Sequence, residues 1–198
     1  EEMCAVGNTA RMLSQFGYRE DPRVGRLYRW ILEDQREDGG WNCGPGLPGS
    51  LDAWEPLSAL AVVAKPKRSA AMDRAVERGA EFYLSRRLFR EGSHYGPWFR
   101  CHYPRHYFYD LLVGLDILSQ LGFGGDRRLR PALKWLTDKR RSDGTWVIDR
   151  LHPDVSPPSA FHAPLRRKEP FFLEPPRKPS KMITLTALRI LKRVEDAT

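Results

Sequence analysis

Hydrophobic residues recur at helical spacing along this chain, in two kinds of segment that alternate. In the first kind they form one stripe, as at Val24, Tyr28 and Ile31, while charged residues lie elsewhere around the helix. Such helices have one face in water, and the pattern places them near 23–37, 71–88 and 127–141. In the second kind, apolar residues run most of the way round, which is typical of a helix buried on both sides. The predicted buried helices lie near 5–16, 52–64, 107–121 and 181–193.

This alternation predicts the fold class. About seven helices without strand patterns indicate an all-α protein, in which buried inner helices alternate with outer helices in a two-layer array. A length of 198 residues fits a single domain over 1–198. The connections that lead into inner helices are long and emerge at one end of the array, where binding sites are usually found. The last of them contains a Pro-rich loop at 150–179, which is interpreted as a strap over that end, a ligand lid or a partner site.

An internal repeat organises the first three quarters of the chain. Residues 11–41 align without a gap with residues 116–146, a shift of 105. The shared positions include Trp30 with Trp135 and Trp41 with Trp146, and an Asp-Gly pair precedes the second tryptophan in each copy. An Asp-Gly-x-Trp segment after a helix predicts a tight turn, because glycine tolerates a positive φ and aspartate binds its own backbone.

The segment Trp30-Ile-Leu-Glu-Asp-Gln-Arg-Glu-Asp-Gly-Gly-Trp41 resembles the Gln-Trp repeat of squalene cyclases and protein prenyltransferase β subunits. Residues 135–146 are similar to a degraded copy, in which Arg140 replaces the glutamine. The chain thus resembles the prenyltransferase/squalene-cyclase repeat family, whose fold is an α/α toroid. The resemblance implies a partial α/α toroid with a mouth for an apolar, isoprenoid-like ligand.

The chain also departs from that family. The family's cyclases protonate their substrate through an Asp-x-Asp-Asp segment, and its protein prenyltransferases hold zinc through an Asp-x-Cys pair; neither segment occurs in this sequence. A complete toroid of the family also has more helical hairpins than this chain can form. The family's catalytic residues are therefore not carried over, and closure of the partial ring by a homodimer is one expectation. Whether the chain is a terpene cyclase-like or prenyltransferase-like enzyme, or no enzyme, stays open.

Composition and charge restrict the classes of partner. Lys and Arg number 33 against 25 Asp and Glu, for a net charge of +8. The basic residues are scattered, which is typical of a solvated surface and does not favour nucleic-acid binding. No apolar run approaches the roughly 20 residues that a membrane span requires, and no signal-peptide core is visible. Three cysteines are too few for a secreted disulfide framework, so we expect a cytoplasmic location.

Three cysteines and a histidine fall next to inner-helix starts and form a candidate metal site. These residues are Cys4, Cys43, Cys101 and His102. Three thiols and an imidazole are a four-coordinate zinc set, so zinc is the one cofactor that the sequence suggests. The alternatives are a catalytic thiol and ordinary buried thiols, because no two of the cysteines are close in sequence.

Aromatic residues and two carboxylates are expected at the same end of the array. The predicted ligand-binding residues are Trp54, Trp98, Phe99, Tyr103, Tyr107, Phe108 and Tyr109. Their rings could line a cavity for an apolar chain and stabilise a cation, or they could fill the core of a short array. Asp110 and Asp52 are the candidate catalytic acids, with helix capping as the alternative role. The sequence therefore favours binding of an apolar small molecule, and the alternative is a non-catalytic scaffold or metal-binding interaction module.

Overall fold

The computed structural model describes residues 2–89, 95–105, 107–151 and 174–197. Within these residues the chain forms seven α-helices and four two-residue strands, so its mostly α-helical class is confirmed. The helices are α1 (Met3–Gln15), α2 (Pro22–Glu33), α3 (Glu55–Ala61), α4 (Ala70–Ser85), α5 (Leu111–Gln120), α6 (Arg130–Asp138) and α7 (Lys181–Glu195). The strands are β1 (His102–Tyr103), β2 (Trp146–Val147), β3 (Arg150–Leu151) and β4 (Pro179–Ser180). Most of the predicted Pro-rich loop at 150–179 lies outside the described residues.

The repeat is reproduced in the backbone and capping geometry. Asp21 begins α2 by accepting a hydrogen bond from the backbone N–H two residues on, at 2.8 Å, and Asp126 makes the same 2.8 Å bond before α6. At the other end of each unit, Gly39 and Gly144 have φ angles of +87° and +83°. Both follow an aspartate whose Oδ1 accepts from the backbone N–H two residues on, at 3.0 Å. Because these bonds are local, the sequence motif suffices to predict them.

The two repeat tryptophans lock each turn to its preceding helix. Trp41 Nε1 donates to the carbonyl of Ile31 at 2.8 Å, and Trp146 Nε1 donates to the carbonyl of Leu136 at 2.7 Å. Both indoles are fully buried. The accepting carbonyls lie in the last turns of α2 and α6, where a helix leaves its carbonyls without helical donors. The motif therefore acts as architecture in both copies.

The helices pack in an order that agrees with the hydrophobic pattern. The helices predicted as inner contact one another successively, α1 with α3, α3 with α5 and α5 with α7. Of the predicted outer helices, α2 contacts α1 and α3, α4 contacts α3, and α6 contacts α5. Every residue of α3 is buried, and α5 is buried except at Asp116 and Gln120. The core therefore runs along the row of inner helices.

The two end helices differ from the prediction of burial on both sides. Helix α1 exposes Met12, with Phe16 just beyond its end, and α7 exposes Leu185 and Leu188. Each of these helices has an inner neighbour on one side only, because α1 and α7 stand at the two ends of the row. Each of these two helices therefore buries apolar side chains on one face and leaves others exposed within the described chain.

Two inner helices are shorter than predicted. Helix α3 begins at Glu55 where the pattern placed its start near residue 52, and Pro56 at its second position favours that start. Helix α5 begins at Leu111 where the pattern placed its start near 107, because Asp110 is in an extended conformation and caps it. The residues just before each helix, among them Asp52 and Tyr107, are therefore non-helical and line a cavity. In the described part of the chain, no helix has the length and apolarity required to cross a membrane.

Candidate functional site

A cavity of about 330 Å³ opens beside the starts of α3 and α5. We call it the aromatic pocket because four aromatic rings line it, those of Tyr95, Tyr107, Phe108 and Tyr109. Its other lining residues are Cys4, Asn42, Cys43, Ser50, Asp52, Ala53, Pro97, Arg100, His102 and Arg150. The volume lies at the small end of the range for ligand sites. The long connections into α3 and α5 therefore build a cavity, as the loop lengths indicated.

The rings in the pocket wall pack edge to face. The rings of Tyr107 and Phe108 are 5.3 Å apart, and Trp98 lies behind the wall against Tyr95 at 5.3 Å and Tyr109 at 5.9 Å. Tyr109 is buried and donates to the carbonyl of Leu88 at 2.8 Å, which fixes its ring. Tyr107 and Phe108 are exposed by 43% and 36%, so their rings are open to a ligand. The wall thus combines a fixed aromatic base with an accessible rim.

The other aromatic residues predicted to bind ligand lie outside the pocket lining. Trp54 is buried and donates through Nε1 to the carbonyl of Tyr107 at 3.1 Å, so it supports the segment before α5 from behind. Trp98 also supports the wall, since its Nε1 donates to Asp52 at 3.0 Å. Phe99 packs against Phe89 at 5.5 Å, and Tyr103 belongs to β1. Of the seven predicted residues, Tyr107, Phe108 and Tyr109 line the cavity.

Asp110 has a structural position that differs from that of a free general acid. The residue is fully buried, and its Oδ1 accepts from the backbone N–H of Val113 at 2.8 Å, which caps α5. Its Oδ2 accepts from the backbone N–H of His102 at 3.0 Å and lies 2.7 Å from the Nδ1 of that side chain. Both carboxylate oxygens are therefore occupied, and Asp110 orients the His102 ring. His102 itself lines the aromatic pocket, so it is the member of this pair that a ligand can meet.

Asp52 is the predicted acid that lines the pocket. Desolvation raises the pKa of its carboxyl above the ordinary value, and the hydrogen bond from Trp98 opposes that rise. A raised pKa brings a carboxyl closer to the range in which it can donate a proton. Asp52 thus lines the cavity, and its role as a catalytic acid stays a prediction.

The four candidate zinc ligands are not gathered into one site. Cys4 and Cys43 are adjacent, with their Sγ atoms 3.0 Å apart, and both line the aromatic pocket. Cys101 is buried, and its backbone N–H donates to Asp149, while the His102 ring is directed to Asp110. Among the described residues, no group of three or more His, Cys, Asp and Glu side chains is placed to hold a metal ion. The structure thus forms a pair of thiols where the sequence suggested three thiols and an imidazole.

The three cysteines differ in burial and in reactivity. Burial, together with a hydrogen bond and the nearby sulfur of Cys43, raises the pKa of Cys4 to about 12. Burial also raises the pKa of Cys101 well above its usual range. Both groups are therefore protonated at neutral pH and are poor nucleophiles. Cys43 is half-buried, which makes it the most accessible of the three cysteines.

A buried carboxyl close to Asp52 has no hydrogen bond from any other residue that the structure describes. Glu55, the first residue of α3, is fully buried, and neither Oε1 nor Oε2 accepts a hydrogen bond from the described residues. Burial raises the pKa of Glu55 well above its usual range. The sequence signal for this residue was a charged position at the start of a helix whose other positions are all apolar or small. Asp52 lies three residues away, and its charge raises the pKa of Glu55 further.

Comparisons with known proteins return nothing for this chain: no protein-family model, no curated protein and no solved structure matches it.

Proposed function

We propose that this chain forms a partial α/α toroid that binds an apolar, isoprenoid-like small molecule in the aromatic pocket. The observation that carries the proposal is the pocket of about 330 Å³ whose wall contains Tyr95, Tyr107, Phe108 and Tyr109. Ring faces and edges give a hydrocarbon ligand apolar contact without polar groups left unpaired. The order of helix contacts, with α1, α3, α5 and α7 in a row and α2, α4 and α6 beside it, supports the toroid arrangement.

The polar groups of the pocket would orient such a ligand. Arg150 lies over the ring of Phe108 at 5.8 Å, and Arg100 also lines the cavity. On the other side, Asp52 and His102 offer a carboxyl and an imidazole. A hydroxyl or another polar end of an otherwise apolar molecule would find donors and acceptors here. The proposal concerns binding of the ligand.

The test is titration of farnesol, an isoprenoid alcohol, into the full chain, followed by calorimetry and by the shift in Tm. We expect saturable binding and a higher Tm, because a ligand that binds only the folded state stabilises it. Phe108→Ala removes an exposed ring from the wall and should weaken binding about tenfold, which corresponds to about 1.4 kcal/mol. Phe16→Ala is the matched control, because Phe16 is 72% exposed and does not line the pocket.

Two results would contradict the proposal. The first is the absence of heat and of a Tm shift at saturating farnesol. The second is equal affinity in Phe108→Ala and Phe16→Ala, because binding would then not depend on the aromatic wall.

A further inference from the structure

A second cavity, also of about 330 Å³, lies among the four inner helices and is lined by arginines. We call it the arginine cavity. Arg11 comes from α1, Arg105 from the segment before α5, and Arg189 and Arg193 come from α7. The α7 pair is spaced four residues apart, which puts both side chains on one face of the helix. The remaining lining residues are Gln15, Trp54, Ser58, Val62, Val113, Asp116, Ile117 and Gln120.

The arginine cavity has an uncompensated positive charge. Asp116 is the one acidic residue among its described lining residues. Its Oδ1 accepts from Arg193 at 2.8 Å and its Oδ2 accepts from Arg105 at 3.1 Å, so both oxygens are occupied. Four guanidinium groups and one carboxylate leave a formal charge of +3. No ion pair to Arg11 or Arg189 is formed by the described residues, and the carboxyls of Glu55 and Asp116 act on Arg11 only through their charge at longer range.

Arg11 has a buried N–H donor in the arginine cavity that lacks an acceptor among the described residues. Its Nη2 donates to Asn8 at 2.7 Å, and its guanidinium lies 5.2 Å from the centre of the Trp54 ring. Its Nε is buried and has no hydrogen-bond partner in the described structure. Burial is the first cause, and the charge of Arg105 the second, of a pKa of Arg11 below the ordinary value. A buried donor without an acceptor and two cations held near each other both destabilise the protein unless an anion is bound.

We propose that the arginine cavity binds a small molecule that carries two or more adjacent oxyanion groups, as in a diphosphate. Guanidinium groups present paired N–H donors that match the oxygens of phosphate and carboxylate groups. An oxyanion ligand would supply the missing acceptor for Arg11 Nε and the counter-charge for Arg189. This site is distinct from the aromatic pocket, since the two cavities share no lining residue.

The test is calorimetric titration of inorganic diphosphate into the full chain at low ionic strength and again at physiological ionic strength. We expect one diphosphate per chain, with weaker binding at the higher salt because ions screen the attraction. Arg189→Gln should weaken binding about tenfold or more. Arg189 is exposed, and it forms no ion pair with the residues that the structure describes, so this variant is expected to fold. Arg29→Gln is the matched control, since Arg29 is exposed on α2 and lies outside the cavity.

A second variant should increase the affinity for diphosphate. Asp116→Asn removes the internal anion that competes for Arg105 and Arg193, so diphosphate should bind several-fold more tightly. Acetate at the same concentration should bind much more weakly than diphosphate, because it carries a single negative charge and has two oxygens for four guanidinium groups. The Phe108→Ala variant should bind diphosphate as the native chain does, which separates this proposal from that for the aromatic pocket.

Three results would overturn the inference. They are no binding heat at millimolar diphosphate, equal weakening in Arg189→Gln and Arg29→Gln, and weaker binding in Asp116→Asn. Weaker binding in Asp116→Asn would show that Asp116 is required to position Arg105 and Arg193, and that the excess positive charge of the cavity is not what binds diphosphate.

Discussion

The repeat can be tested by replacing its two buried tryptophans, Trp41→Phe and Trp146→Phe. Each indole N–H binds the carbonyl ten residues earlier, at 2.8 Å to Ile31 and 2.7 Å to Leu136. Loss of that donor leaves a buried carbonyl unpaired, which costs about 1–3 kcal/mol. The smaller ring also removes three heavy atoms from a fully packed site, and about 1–2 kcal/mol of apolar burial is lost with them. Each variant should therefore lose about 2–5 kcal/mol.

Urea unfolding followed by circular dichroism measures this loss directly. A decrease of about 2–5 kcal/mol is a large part of the roughly 5–15 kcal/mol by which domains are stable. It should lower the Tm by roughly 4–20 °C for a chain of this size. Because the two sites have the same geometry, the two losses should agree within about 1 kcal/mol. The controls are Trp30→Phe and Trp135→Phe, which alter half-buried rings and should each cost less than about 1 kcal/mol.

The reasoning would be refuted if either buried tryptophan could be replaced with a loss below about 0.5 kcal/mol. It would also be refuted if Trp41→Phe and Trp146→Phe differed strongly, because the two copies would then not carry the same structural role.

Three further predictions concern the surroundings of the aromatic pocket. The raised pKa of Glu55 makes the free energy of unfolding depend on pH: the contribution of Glu55 is complete below its unfolded pKa of about 4.5 and is lost as the pH rises through the folded pKa. Glu55→Gln should therefore reduce the decrease of the free energy of unfolding with rising pH, measured by urea unfolding from pH 4 upwards. Iodoacetamide at pH 8 should alkylate Cys43 before Cys4 and Cys101, because the latter two thiols are buried and protonated. Mass spectrometry of the digested protein measures the three rates, and equal alkylation rates in the folded chain would contradict this prediction. Asp110→Ala removes the cap of α5 and the acceptor for the His102 ring, so unfolding should show a loss of about 2–4 kcal/mol; a loss below about 1 kcal/mol would exclude the structural role assigned to this carboxylate.

Local chemistry made part of the site predictable. The long connection before α5 carries a run of aromatic residues, and the sequence therefore placed Tyr107, Phe108 and Tyr109 at the mouth, where they line the pocket. The position of Asp52 before an inner helix was likewise enough to place it there. The supporting roles of Trp54 and Trp98 were not predictable, because the direction of a ring depends on hydrogen bonds to partners far away in the chain.

The cysteines show where spacing fails. Cys4 and Cys43 meet because the turn after Trp41 passes the start of α1, whereas Cys101 is directed away towards Asp149. Cys4 lies in the first turn of α1, and Cys43 and Cys101 lie in the connections that lead into α3 and α5, so all three are near the starts of inner helices. Side-chain direction, which a helical period does not encode in loops, decides that two of them meet and the third does not.

The amino-acid sequence by itself determined the mostly helical class, the two matching units and the capped turns of this protein, because each depends on neighbours within about one helical turn or one short motif. Only the tertiary structure decided which polar groups share a cavity. The arginine cavity brings together Arg11, Arg105, Arg189 and Arg193 from three distant segments. Their one sequence signal is a charged residue on a predicted inner helix, at Arg11, Arg189 and Arg193. Such a signal shows that a charge must be accommodated, and the packing of α1, α3, α5 and α7 determines where.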